Sequence, residues 1–259
     1  NVLKAVESAF LSRDYATLSS NTYDSAENER KILQHMLARR VDALIVHSTG
    51  QNEELLRAIA DSGTPVILYD RRSRDHQFPT VYVNKQKAMY LALDHLLELG
   101  HRRVLLATGS KLLSTNYDRY MGVQKYIFDR DLDPARFPAR FGAFSVDFGS
   151  TLMEEIAAMP ERPTAVITGS VAITAGIIVY CKEHGLSIPD DIAIVSAGTF
   201  SYPSLIEPDL TYLDDFDRNI SSALIELAGR ALQGEAIPDD ARIEIEPALR
   251  VGASTVKTG

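Results

Sequence analysis

The sequence predicts an α/β protein of two lobes, each built on a parallel sheet. Three observations carry this. Strand and helix patterns alternate along nearly all of the 259 residues. The alternation falls into two similar halves, before and after about residue 84. The stretch LALDHLLELGHRRVLLATGS (91–110) contains one complete helix–stop–strand unit. From just before it, Ala88, Leu91, Ala92, His95, Leu96 and Leu99 recur at helical spacing. Gly100 supplies a left-handed stop at no Cβ cost. His101, Arg102 and Arg103 lie beside the negative end of the helix dipole. Val104, Leu105, Leu106 and Ala107 then read as a buried parallel strand.

The other elements follow in order. NVLKAVESAF is an amphipathic helix with Val2, Leu3, Val6 and Phe10 on one side. No strand precedes it although later helices are each paired with one, which points to an upstream segment; an unusual start to an intact chain is the alternative. YATLSS (15–20) is a strand candidate. Asp24 or Ser25 caps the helix ENERKILQHMLARR. VDALIVHSTG, TPVILYDRR and PTVYV are strands with their loops, and NEELLRAIADSG is a helix with a glycine stop. Beyond Ser110, NYDRYMGVQKYIFDRD is helical and LDPARFPARFG is a Pro-punctuated loop. GSTLMEEIAAM, AITAGIIVYCKEHG and NISSALIELAGRALQG are helices. RPTAVITGS, IPDDIAIVSAGT and LTYLDD are strands with loops, FSYPSLIEPD is irregular, and RIEIEPALRV is one alternating strand.

Composition narrows the function. Hydrophobic residues make up 45% and charged residues 24% of the chain, an ordinary globular balance. A formal net charge of −8 with no basic block makes the chain itself a poor direct binder of nucleic acid. The one cysteine, Cys181, excludes an internal disulfide and a cysteine-rich zinc cluster. No stretch approaches the ~20 apolar residues of a membrane span, and no signal peptide is legible.

Motifs whose spacing forces a reaction are absent: G-x-G-x-x-G, G-x-x-x-x-G-K-[ST], H-E-x-x-H and G-x-S-x-G do not occur. The six histidines are scattered, and His35 and His95 lie near apolar helix faces. Asp214 and Asp215 are neighbours in a strand and so point to opposite faces. No catalytic residue, metal site or cofactor is expected. Loop chemistry at strand ends remains, where open parallel sheets bind ligands. Those ends hold His47, then Asp70 with Arg71, the 109–119 loop, Ser170 and the 196–199 turn. Together they predict a cleft for one small polar ligand.

Several segments resemble one known family: RRVDALIVHST, TPVILYDRR, ALDHLLELGHRRVLLATG, RPTAVIT, GLSIPDDIAIVS, EPDLTYL and EPALRVGAST. In order and spacing the chain is similar to the effector-binding core of the lactose/galactose repressor family of bacterial transcription regulators. HLLELGHRR directly before a strand helps separate these from periplasmic sugar-binding proteins of the same fold. The resemblance implies a periplasmic binding protein type I-like fold, two lobes joined by three crossovers near Val83–Asn84, Leu213–Asp215 and Pro247–Arg250. The N-terminal lobe is then 1–83 plus 214–247, its first strand missing, and the C-terminal lobe 84–213 plus 248–259. It further implies hinge closure on an effector in the interlobe cleft, a homodimer, and a cytoplasmic repressor whose operator DNA is held by an N-terminal helix-turn-helix outside this chain.

Residue by residue, the resemblance puts ligand contacts at His47 and Asp70, an effector-gripping arginine at Arg119, a ring-packing aromatic at Phe144 and the polar residue of a crossover at Asp215. The preceding arginine of that pattern is Tyr117 here. Ser170 and Val171 stand where the family has Asn-Asp, and Ser196, Ala197, Gly198 and Thr199 where it has Gly-aromatic-Asp-Asp. The carboxylate that commonly accepts sugar hydroxyls is therefore missing, which favours a smaller, modified or anionic effector on Arg119 over a hexose in the usual pose. A periplasmic solute-binding protein and a small-molecule enzyme on a similar sheet are the alternatives.

Overall fold

In the computed structural model, which describes residues 2–74, 77–214 and 217–256, apolar strand segments assemble into two sheets flanked by helices. The chain falls into two units. One comprises Asn1–Val83, Leu113–Thr115 and Phe216–Ile245, the other Asn84–Leu112, Asn116–Asp215 and Glu246–Gly259.

The first unit begins with α1 (Val2–Leu11) and α2 (Ala26–Ala38), then β1 (Leu44–Val46), α3 (Glu53–Asp61), β2 (Val66–Tyr69) and β3 (Thr80–Val83). Of the two candidate caps for α2, Ser25 takes the role, its hydroxyl accepting from the Asn28 N–H. The second unit continues with α4 (Lys85–Glu98), β4 (Val104–Thr108), α5 (Ser114–Asp129, whose first two residues belong to the first unit), β5 (Ala139–Phe141), α6 (Val146–Ala158), β6 (Ala165–Thr168), α7 (Val171–His184), β7 (Ala193–Ala197) and β8 (Thr211–Asp214). Then α8 (Asp217–Leu232) and β9 (Arg242–Ile245) return to the first unit, and β10 (Ala248–Arg250) lies in the second.

The first sheet has the order β1-β2-β3-β9, parallel throughout. The second runs β10-β8-β7-β6-β4-β5, parallel except for β10. Alternation along each strand sends side chains to both faces. Val104 and Leu106 of β4 meet Ala92, Leu96 and Tyr126 from α4 and α5. Leu105 and Ala107 meet Leu152, Ile156 and Ile177 from α6 and α7. In the first sheet Ile67, Val81 and Val83 pack with Val6, Phe10 and Leu224 from α1 and α8. Leu44, Val66 and Leu68 pack with Leu33, Leu56 and Ile59 from α2 and α3. Both sheets are thus covered on both faces, as parallel sheets require.

Two glycines set the closest helix approach. A Cβ on Gly176 would strike the Val146 carbonyl oxygen, and one on Gly149 the Ile173 carbonyl oxygen, so the α6 and α7 backbones pass almost in contact. Gly100 follows α4 with φ of 92°, the left-handed stop predicted for it.

Three expectations are corrected. Residues 15–20 form no strand: they are largely exposed coil. The Pro-punctuated loop after α5 contains β5, an edge strand paired with β4 from Leu106↔Ala139 to Thr108↔Phe141. RIEIEPALRV is two strands, because Pro247 has no N–H to continue a ladder: β9 pairs with β3, and β10 pairs with β8.

Candidate functional site

In the first unit the strand-end loops are built on buried carboxylates. Glu29 of α2 is only 1% exposed. It accepts hydrogen bonds from the Thr49 N–H (2.8 Å), the Thr49 hydroxyl (2.5 Å) and Asn52 Nδ2 (2.7 Å). A carboxylate so satisfied tolerates burial and pins the loop that follows β1, the one carrying His47. Glu53 ties that loop to the next, accepting from the Ser73 hydroxyl (2.6 Å) and the Arg74 N–H (3.0 Å).

After β2 the chain turns on Asp70, whose φ is 59°. The Arg71 N–H donates to the Tyr69 carbonyl at 2.6 Å, closing a three-residue turn around Asp70. A non-glycine residue at positive φ in so tight a turn stores strain, a feature that concentrates at functional sites. His47 Nε2 lies 3.6 Å from Asp70 Oδ2, and the His47 ring lies 5.3 Å from that of Tyr69. Arg71 is 5% exposed; its Nη1 donates to Asp24 Oδ1 (2.7 Å) and to the Ser48 carbonyl (3.2 Å). The structure therefore brings His47, Asp70 and Arg71 together.

In the second unit the site grows from the end of β4. The Thr108 hydroxyl donates to Asn116 Oδ1 at 3.0 Å, and Asn116 Nδ2 donates to the Ser110 carbonyl at 3.1 Å. Arg119 Nη1 donates to the same Asn116 Oδ1 at 3.1 Å. Arg119 is only 7% exposed, and among the described residues no acidic group forms an ion pair with it. Phe144 joins this group: a Cβ on Gly109 would lie 2.9 Å from Phe144 Cζ and close to Asn116 Nδ2. Gly109 is thus the gap that lets the ring approach the amide.

The remaining expected residues occupy neighbouring strand ends. Gly169 abuts the Thr108 side chain, leading into Ser170. The Ser170 hydroxyl caps α7 by accepting from the Ile173 N–H (3.3 Å), so it has a proton left to donate. Gly198 has φ of 86°, donates to the Leu213 carbonyl (3.1 Å) and has its open Cβ position 3.6 Å from Val171. Beneath these ends the hydroxyls of Thr168, Thr174 and Ser196 bond at 2.6 and 2.9 Å.

Tyr117 is not brought in with Arg119. It is 45% exposed, because residues two apart on a helix do not share a face. Asp215 lies outside the described residues; its neighbour Asp214 accepts from Arg250 Nε at 3.2 Å. Sequence reasoning missed Asn116, Glu29 and Asp24, whose roles arise only through partners distant in sequence or on another turn. Among the described residues no group of three or more His, Cys, Asp or Glu side chains could hold a metal ion. Burial pushes the Cys181 thiol up to about 11, far from a reactive thiolate at neutral pH.

Comparison with known proteins gives this geometry a context. The model of the periplasmic binding protein-like domain matches residues 93–255. The chain is 27% identical to "Probable HTH-type transcriptional regulator EndR" of Paenibacillus polymyxa over 213 residues, 81% of this chain and 62% of that protein. It is 26% identical to the HTH-type transcriptional repressor PurR of Edwardsiella ictaluri over 250 residues, 96% of this chain and 73% of that one. The chain thus matches less than two thirds of the length of the first of these regulators. The crystal structure of transcription regulator CcpA of Lactococcus lactis superposes with a TM-score of 0.86 at 19% identity, covering 98% of this chain and 93% of that one.

Proposed function

The chain belongs to the periplasmic binding protein-like domain family, and from that membership we propose that it is the effector-sensing part of a bacterial DNA-binding transcription regulator, a repressor. Its matched relatives are regulators and not enzymes, and this chain acts by binding, without turnover. Operator DNA is held by a domain outside the chain, which works as a homodimer in the cytoplasm. The homodimer follows from this arrangement because helix-turn-helix recognition reads paired half-sites with a two-fold protein. An effector that prefers one conformation of the regulator changes its DNA affinity by no more than its differential affinity for the two states.

One observation carries the binding reading. Arg119 is a buried cation whose side chain bonds only to the neutral amide of Asn116 among the described residues. A buried charge without a counter-ion is costly unless a ligand supplies the acceptor, and a guanidinium fork matches a carboxylate, a phosphate or a pair of hydroxyls. Phe144, whose ring approaches the same Gly109 gap as the Asn116 amide, offers a ring face for the body of a small polar effector. Ser170 supplies a further polar group at a strand end of the same unit, and His47, Asp70 and Arg71 form the strand-end group of the other unit; Asp215 is assigned by family resemblance.

The test is thermal-shift screening of sugars, sugar phosphates and small carboxylates, followed by calorimetry. A stabilising compound whose binding disappears in Arg119→Ala is the expected result. Tight binding of a neutral hexose, indifferent to Arg119→Ala, overturns the assignment of Arg119 as anchor.

A further inference from the structure

Arg71 and Asp24 form an unequal pair. Arg71 is 5% exposed, whereas the Asp24 side chain is 48% exposed. Both polar contacts of the guanidinium fall on one atom, Nη1, which holds Asp24 Oδ1 at 2.7 Å and the Ser48 carbonyl at 3.2 Å. The buried Nε has no hydrogen-bond partner among the described residues. The cation is therefore built for more acceptor than it now receives. Its position, directly after Asp70 and bonded to the loop that carries His47, places it in the strand-end group of the first unit.

Asp24 arrives on an unusual turn. Tyr23 and Asp24 are consecutive non-glycine residues with φ of 52° and 56°, a conformation unfavourable for L side chains. The Tyr23 side chain is exposed, so the turn gains little from packing. It is held by local polar bonds, Tyr23 N–H to Asn21 Oδ1 (2.8 Å) and Asn28 Nδ2 to the Thr22 carbonyl (3.2 Å), together with the Asp24–Arg71 ion pair. A half-exposed carboxylate returns to water at little cost, while the buried guanidinium keeps a counter-charge only if another anion replaces it. Any oxyanion that reaches Arg71 can therefore take the place of Asp24, and can also engage a donor Asp24 leaves idle.

We propose that Asp24 is a resident stand-in for an oxyanion, carboxylate or phosphate, of the effector at Arg71, and that the 21–25 turn is released when that oxyanion binds. This rests on the effector-sensing reading and narrows it to an anionic effector. Arg71 becomes the residue that selects the charge, with Asp24 setting the threshold that a ligand must exceed.

The test uses inorganic phosphate and acetate as probes on the 259-residue chain, titrated at constant ionic strength. Asp24→Asn removes the competing charge, and one of the two probes is expected to bind about tenfold more tightly than to the unaltered chain. The gain is expected to vanish in Asp24→Asn/Arg71→Gln. Which probe shows it distinguishes phosphate from carboxylate. A tryptophan at position 23 (Tyr23→Trp) in the otherwise unaltered chain reports the turn directly, and its emission should change saturably with the same probe. No gain in Asp24→Asn with either probe, or a gain that survives Arg71→Gln, overturns the proposal. Anion binding lost in Arg119→Ala but kept in Arg71→Gln overturns it as well, and leaves the effector-sensing reading standing.

Discussion

The Arg119 guanidinium and the Thr108 hydroxyl share one acceptor, Oδ1 of Asn116, at 3.1 and 3.0 Å. The amide is wholly buried and uses its Nδ2 on the Ser110 carbonyl. Asn116 thus orients the arginine without neutralising it. The division of labour makes opposite predictions for the two residues. Asn116→Ala leaves a buried hydroxyl, a carbonyl and a cation short of partners, and is expected to lower stability by about 1–3 kcal/mol. Arg119→Met replaces an unpaired buried cation by an apolar chain of similar length, and should leave stability unchanged or raise it. Urea unfolding of both variants measures this; a larger loss in Arg119→Met than in Asn116→Ala would show that the arginine is structural.

The α6–α7 crossing gives a second prediction. A methyl on Gly176 meets the Val146 carbonyl oxygen and the Gly149 Cα, which are backbone atoms that cannot rotate away. Gly176→Ala should therefore cost about 1–3 kcal/mol through forced separation of the helices. Gly176→Ala unfolding at the same denaturant midpoint as the unaltered chain would contradict the close approach.

How much of this was legible in the sequence depends on the range of the interaction. The central strands were readable because Val104–Thr108 and Ala165–Thr168 are buried on both faces and so read as apolar runs. The edge strand β5 was not, since Ala139, Arg140 and Phe141 are half-buried or exposed in a Pro-flanked polar stretch. The split at Pro247 could have been seen, because a residue without an N–H interrupts a hydrogen-bonded ladder. Arg119 and Phe144 were identified through family resemblance, and the structure sets both beside Asn116. Glu29 was invisible as a loop anchor: in sequence it is one more acidic residue in the first turn of α2, and only the fold brings Thr49 and Asn52 to it.

That anchor is itself testable. Glu29 accepts three hydrogen bonds, and Glu29→Gln turns one acceptor oxygen into an amide donor facing donors from Thr49 or Asn52. Hydrogen bonds to a charged group are worth more than neutral ones, so a loss of about 2 kcal/mol is expected. The loop that carries His47 should loosen with it. Amide hydrogen exchange at Thr49, which donates its N–H to Glu29, is the local readout; unchanged protection there in Glu29→Gln would remove the carboxylate from this role.

His95 gives a prediction in pH. Burial holds its pKa below the usual 6.5, outweighing the opposing pull of the Glu98 charge, and its Nε2 bonds the Thr255 hydroxyl at 2.8 Å. The unfolded chain therefore binds a proton at higher pH than the folded one. Stability rises with pH wherever the unfolded state holds more protons, so the contribution of neutral His95 is fully present above 6.5 and declines as pH falls through that value toward the depressed folded pKa. Other groups titrate below this range, and the comparison that isolates His95 is the stability difference between the unaltered chain and His95→Gln. That difference should shift against the unaltered chain on acidification from neutral pH through the histidine range. A difference that stays flat would mean that His95 protonates equally in both states, and that its bond to Thr255 carries no proton linkage.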